Sequence, residues 1–293
     1  MRTVKLSQYK LRYQFREYHF TQEQLAHSAP AHGEDTHIFR IYHNLHVLCL
    51  ALTFHVSLAI SARKTAYILS KVFEIPASYQ TVLNYAKHAA HYCHRFNLAN
   101  KAPGETTQVG DETYVKVLGK NAFTFFFLGP KSRSITAYHI DDSRDTLPAT
   151  IAMKEATRTV PKDQSVNIIT DGNPSYQAGI HFLNKDRPKE GHLKNTKVIG
   201  LQNLDAVSEE YRPFKQMIER LNRTYKFHIR AANGFNSNNG SVVLTTLFVT
   251  NYNFIRPHQT LNWRTPIELD EVKAATTVQG KWATIMQSAF QLN

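Results

Sequence analysis

Between Asp111 and Ile140 the chain passes through three strand-like runs separated by two turn signals, and then its texture changes to alternating helix and strand. Runs 111–118, 122–128 and 134–140 are rich in β-branched and aromatic residues. Gly119-Lys120-Asn121 and Gly129-Pro130-Lys131-Ser132 punctuate them. Such a pattern predicts an antiparallel meander of three strands. Beyond it, the sequence predicts a helix over 143–159, a short buried strand over 165–170 and a helix over 174–183 with its proline at a permitted early position. A polar loop over 184–192, a fifth strand over 196–201 and helices over 209–232 and 241–254 complete the reading. The order β-β-β-α-β-α-β-α-α implies an α/β fold, a mixed sheet with helices packed on its faces.

Three acids stand at informative places in this order. Asp111 opens GDETYVKV, Asp171 follows the strand-like SVNIIT, and Glu219 lies in the helical, basic FKQMIERLNRTYK. Acids at strand ends are held rigidly, and one on a neighbouring helix can approach them from the side. Such a trio suits hard divalent cations such as magnesium, and a two-metal site serves both ends of a phosphodiester displacement. Each acid also has a structural reading: Asp111 as a strand start, Asp171 as a turn residue before Gly172, Glu219 as a solvated residue with Arg223 four positions on. Glu112 is set aside, because adjacent strand side chains point to opposite faces. On the helix around Glu219, Phe214, Met217, Ile218, Leu221 and Tyr225 form an apolar stripe. Arg220, Arg223, Lys226 and Arg230 line another side and are candidate phosphate contacts.

Residues 36–100 read as all-helical, with 45–60 as a buried helix on which Leu48, Leu52, His55 and Ala59 share a face. Ser61 is placed to cap a helix over 62–73, Pro76 breaks it, and Ser78 is placed to cap a second helix from Tyr79. Two helices about a turn form a helix-turn-helix candidate. Its second helix would offer Tyr79, Gln80, Asn84 and Lys87 to a DNA major groove; the competing reading is an ordinary helical bundle. Residues 1–35 read as a basic arm of poor order, 101–270 as the α/β domain opening on a linker, and 271–293 as a tail. In HAAHYCH, His88, His91, Cys93 and His94 do not share one tight face, so helix-surface and core roles are expected there in preference to zinc.

The net charge of +12 points to a polyanionic partner. No apolar run reaches the ~18 residues of a spanning helix, and the N-terminus lacks the pattern of a signal peptide. Two cysteines fit a reducing cytoplasm and argue against a disulfide framework. A Gly-rich phosphate loop and a G-x-S-x-G elbow are both missing, which disfavours a nucleotide-driven motor and a serine hydrolase.

The strings GDETYVKV, ITDGNPSY, IERLNRTYK and YNFIRPHQTLNWRTPIEL occur in that order over roughly 110–270. In them the chain resembles the DDE transposases of bacterial insertion sequences, relatives of retroviral integrase cores. That resemblance implies an RNase H-like mixed sheet preceded by a helix-turn-helix region, with Asp111, Asp171 and Glu219 as the catalytic and metal-binding triad. It implies two Mg2+ ions, with Mn2+ as a substitute, acting in nicking and strand transfer on double-stranded DNA, both element terminal repeats and target. It also implies a homodimer or larger assembly, no membrane, and a cytoplasmic, nucleoid-associated place in a bacterium. Two departures stand out. The interval from Asp171 to Glu219 is longer than in most relatives, which keeps Glu209 and Glu210 as alternative third acids. The N-terminus also lacks the cysteine ligands of a zinc module found in some relatives. The other functional classes are a non-catalytic DNA-binding protein or degenerate copy, and an RNase H-like nuclease.

Overall fold

The computed structural model describes residues 17–31, 43–198 and 206–292. Strands β1 (Thr107–Val117), β2 (Lys120–Leu128), β3 (Ile135–Asp141), β4 (Val166–Thr170) and β5 (Leu193–Lys197) form one sheet in the order β3-β2-β1-β4-β5. The meander β1-β2-β3 is antiparallel, while β4 and β5 run parallel to β1. This is the mixed sheet, an antiparallel meander of three strands followed by alternating helix and strand, anticipated from the sequence. The β1–β2 hairpin closes through Leu118 and Gly119, at φ 50° and 77°, the positive values a two-residue turn requires.

Strand boundaries shift from the sequence reading where pairing overrides local propensity. β1 starts at Thr107, because its first residues pair with β4, so Asp111 lies inside the strand. β5 starts at Leu193, held in register with Val166; the expected strand over 196–201 extends beyond the described residues.

Side chains alternate across β2 and feed two cores. Phe125 and Phe127 pack with α4 (Thr146–Ala156) and α5 (Pro174–Asn184), where Met153, Tyr176 and Ile180 are buried. Phe126 and Leu128 face α6 (Ala206–Arg230) and α7 (Asn238–Thr250), where Leu221, Tyr225, Leu247 and Phe248 are buried. α7 continues as a π-helical turn, Asn251–Ile255.

The second core extends without a break into the N-terminal helices α1 (Leu45–Leu52), α2 (Ala62–Lys71) and α3 (Tyr79–Ala99). Ser61 and Ser78 cap α2 and α3 through the N–H groups of Lys64 and Thr81. The turn between them is fastened by Ser70 Oγ, which donates to the Ala77 carbonyl at 3.1 Å. α3 is welded to α7: Asn97 Nδ2 donates to the Thr246 carbonyl and Asn97 Oδ1 accepts from Thr250 Oγ1. The helical region and the sheet therefore share one core.

Two expectations need correction. Residues 271–293, read as a tail, include most of α8 (Asp270–Ala274) and all of α9 (Val278–Gln291). Trp282, Ile285, Met286 and Ala289 are fully buried, and Trp282 Nε1 donates to Ser57 Oγ at 2.9 Å. Their i, i+3, i+4, i+7 spacing is an amphipathic helix signal that the sequence reading passed over. Of the supposed arm 1–35, residues 17–31 are described and lie against the sheet. Leu25 is buried, and Ser28 Oγ both donates to the Ile140 carbonyl and accepts the Ile140 N–H, each at 3.1 Å. This covers β3, an edge strand whose free backbone groups need partners. Among the described residues no helix is long and apolar enough to cross a membrane.

Candidate active site

β4 pairs with β1 only up to Val109 and ends at Thr170. Continuing that register brings Asp171 opposite Asp111 where the sheet has lost its ladder. Gly172, at φ 91°, turns the chain at once, a conformation that suits glycine. Asp171 Oδ1 accepts the Asn173 N–H at 3.0 Å, and Asn173 then caps α5 through the Ser175 N–H. The turn reading of Asp171 and its place beside Asp111 are thus both realised. Gly110 is also required here: a Cβ on it would stand 2.4 Å from the Phe127 ring.

Ligand-type oxygens of Asp111, Glu112 and Asp171 all lie within 4.8 Å of one another, the only such group of three or more acids, histidines or cysteines among the described residues. Glu112 was set aside on strand alternation, and the structure corrects this. Beyond the end of β4 nothing separates the two faces of β1, so side chains from both reach the same opening. Glu112 Oε1 accepts from Arg144 Nε at 2.9 Å, from Arg144 Nη2, and from Asn173 Nδ2 at 3.1 Å. Its Oε2 accepts from Tyr176 Oη at 2.5 Å. Burial first, and then the charge of Glu112, raise the Tyr176 phenol well above its ordinary value, so it stays a neutral donor.

Asp111 faces the other way, toward α6. Asn222 Nδ2 donates to its Oδ2 at 3.0 Å. Burial, then the charges of Glu112 and Asp171, push the Asp111 carboxyl up to about 7, with Lys215 opposing. Lys215 Nζ also donates to the Val198 carbonyl just past β5. Lys215, Glu219 and Asn222 follow i, i+4, i+7 spacing and so share one face of α6. Glu219 is on the face that meets Asp111, although its carboxylate is not in the close group. Glu209 and Glu210 are exposed on the first turn of the same helix.

The acid group fits a hard divalent cation. Its donors are carboxylate oxygens, the charges of Glu112 and Asp171 add to burial in raising Asp111, and Asn222 Oδ1 is buried with no partner among the described residues.

The candidate DNA contacts are exposed. Tyr79, Gln80, Asn84 and Lys87 lie on the solvent side of α3, with Arg63 over the Tyr79 ring at 4.6 Å and Gln80 Nε2 donating to Asn84 Oδ1. Arg220, Arg223, Lys226 and Arg230 line the outer side of α6 without a carboxylate partner among the described residues; Lys226 Nζ sits 4.2 Å over the Tyr114 ring. In HAAHYCH, His88, Cys93 and His94 are buried in α3, with His94 Nδ1 bonded to Tyr138 Oη and burial raising the Cys93 thiol to about 12.

Residues 106–238 match a family model described as a DDE domain, that of the IS240 transposases. Among solved structures, the HTLV-2 integrase catalytic core domain in complex with magnesium, in its trimeric form, is similar at 14% identity and a TM-score of 0.36, over 56% of this chain and 95% of that one. The simian T-cell lymphotropic virus intasome in complex with PP2A regulatory subunit B56 gamma is similar at 17% identity and a TM-score of 0.37, over 74% of this chain and 72% of that one. No curated protein matches the chain.

Proposed function

We propose that this chain, whose residues 106–238 match the DDE-domain model, is a DDE transposase with Asp111, Asp171 and Glu219 as its metal-binding catalytic set. The reaction is nicking at the ends of an insertion element, followed by attack of the freed 3′ hydroxyl on target DNA. The observation that carries this is the meeting of Asp111 and Asp171 at the open end of β4, with the Lys215–Glu219–Asn222 face of α6 laid against them.

Asp111 and Asp171 present oxygens to a shared opening, and Glu219 closes it from α6. Asp111, Asp171 and Glu219 would hold two Mg2+ ions, or Mn2+ in their place, and such ions would supply charge stabilisation at the attacking and leaving oxygens and a more acidic water. Asn222 orients Asp111. Glu112, whose oxygens already accept four hydrogen bonds from Arg144, Asn173 and Tyr176, positions the Asp171 turn through Asn173 and balances Arg144. The outer cations of α6 take phosphates of the bound strand. Tyr79, Gln80, Asn84 and Lys87 read the terminal repeat in the major groove. Two ends must be brought together, so the working form is a homodimer or larger assembly on DNA, acting at the bacterial nucleoid.

The test is Asp111→Asn assayed on a terminal-repeat duplex with magnesium. End nicking and strand transfer are lost while duplex binding persists. Undiminished nicking would overturn the catalytic assignment, and nicking without joined products would identify a nuclease instead.

A further inference from the structure

On the side of α6 away from the acids lies a cleft of about 540 Å3, a size within the ~300–1,000 Å3 of small-molecule sites. Arg223, Phe227 and His228 come from α6; Arg256 and Pro257 come from the segment after α7; Ser57 ends the π-helical turn Thr53–Ser57 that follows α1. Arg223 directly follows Asn222, the residue bonded to Asp111. One helix therefore separates the cleft from the acid group.

The floor is preorganised. Ser57 Oγ donates to Asn251 Oδ1 at 2.7 Å and accepts from Trp282 Nε1, and the Arg256 N–H donates to the Asn251 carbonyl at 2.7 Å. At the rim Phe227 is 64% exposed, one helical turn from Arg223 and on the same side. Among the described residues no carboxylate lines the cleft. Neither arginine has a carboxylate partner among the described residues. His228 is 91% buried, its Nδ1 is bonded to the Thr224 carbonyl, and its Nε2 finds no partner among the described residues.

We propose that this cleft takes one unpaired nucleotide of the bound DNA, its base stacked on Phe227 and its phosphate held by Arg223 and Arg256. An aromatic face beside cations is the standard means of holding single-stranded nucleic acid. A base reaches a concave site only after it leaves the duplex stack. The exposed Leu58 and Val278 at the rim would suit a second copy of the chain, but two uncompensated guanidinium groups favour a polyanion. The inference rests on the DNA-binding reading above and adds the strand state that this part of the protein selects.

The experiment measures binding of the full chain to a duplex carrying one unpaired 2-aminopurine and to a matched duplex of equal length. The wild type prefers the unpaired form by about tenfold and quenches the probe by stacking. Phe227→Ala and Arg256→Ala each abolish the preference and keep matched-duplex affinity within about twofold; loss of one exposed ring leaves the fold intact, checked by circular dichroism. Equal binding of both duplexes by the wild type, or a preference that survives both substitutions, overturns the cleft assignment and leaves the catalytic reading standing. Loss of self-association in Phe227→Ala, by sedimentation, with the preference unchanged gives the cleft to a second copy and overturns it as well. No binding to either duplex removes the DNA-binding reading itself.

Discussion

Asn222 Nδ2 donates to Asp111 Oδ2 at 3.0 Å, and this one bond ties helix α6 to strand β1 at the acid group. It fixes the rotation of α6, because a helix with one residue pinned to the sheet presents its i−3 and i−7 neighbours on the same side. Those neighbours are Glu219 and Lys215. The bond thus connects the long basic helix to the end of β4, where Asp171 waits.

Asp111→Asn stabilises the metal-free protein. Burial, above all, raises the folded carboxyl from its ordinary 3.8 to about 7. Ionisation is therefore disfavoured in the folded state, and wild-type stability falls as pH rises from about 4 to about 7. Thermal melting in chelator shows the variant roughly 5 °C above wild type at pH 8 and a much smaller gap at pH 5.

Divalent cations reverse that penalty. Magnesium or manganese in millimolar excess raises the wild-type melting temperature at pH 8 by a few degrees, through binding to the native state alone. Asp111→Asn and Asp171→Asn lose this rise. Glu112→Gln keeps at least half of it, because its oxygens are engaged by Arg144, Asn173 and Tyr176.

Glu219→Gln lowers magnesium-dependent end nicking by about 100-fold or more, the scale set by removing an electrostatic element of a reaction centre. Duplex binding stays within twofold by gel shift. Glu209→Gln and Glu210→Gln, on the exposed first turn of α6, leave nicking unchanged. The reverse result would move the third acid to that turn.

Tyr176→Phe removes the 2.5 Å donor to Glu112 and leaves a buried carboxylate short of a partner. Urea unfolding reports a loss of about 1–3 kcal/mol. Nicking falls too, because Glu112 then holds Asn173 and the Asp171 turn less firmly.

Trp282→Ala empties a fully buried site among α1, α3 and α9 and costs about 3–5 kcal/mol by the same measurement. A tail would tolerate the change without effect.

The elements were largely legible in the sequence because their signals are local. Ser61 and Ser78 cap α2 and α3 as read, Pro174 opens α5, and the alternating apolar residues of β2 fill both faces of the sheet. The misreadings fall where distant residues decide. β1 begins at Thr107 only because β4 pairs with it. The run from Val278 became a helix in the core because it packs on α1 and α3 and shares their apolar cluster, and residues 17–31 are held by the open edge of β3.

Residue types and their short-range order sufficed to determine the α/β class, the helix caps and the identities of Asp111, Asp171 and Glu219 as candidates. Turn, cap and periodicity effects act over a few residues and so can be read from the chain alone. Which acids meet was decided in three dimensions. β4 stops at Thr170 while β1 runs on to Val117, so the sheet opens at Asp111. Glu112 enters that opening from the opposite face, and the rotation of α6 sets the approach of Glu219. Relative strand length and helix rotation are products of packing between distant segments, and spacing along the chain carries neither.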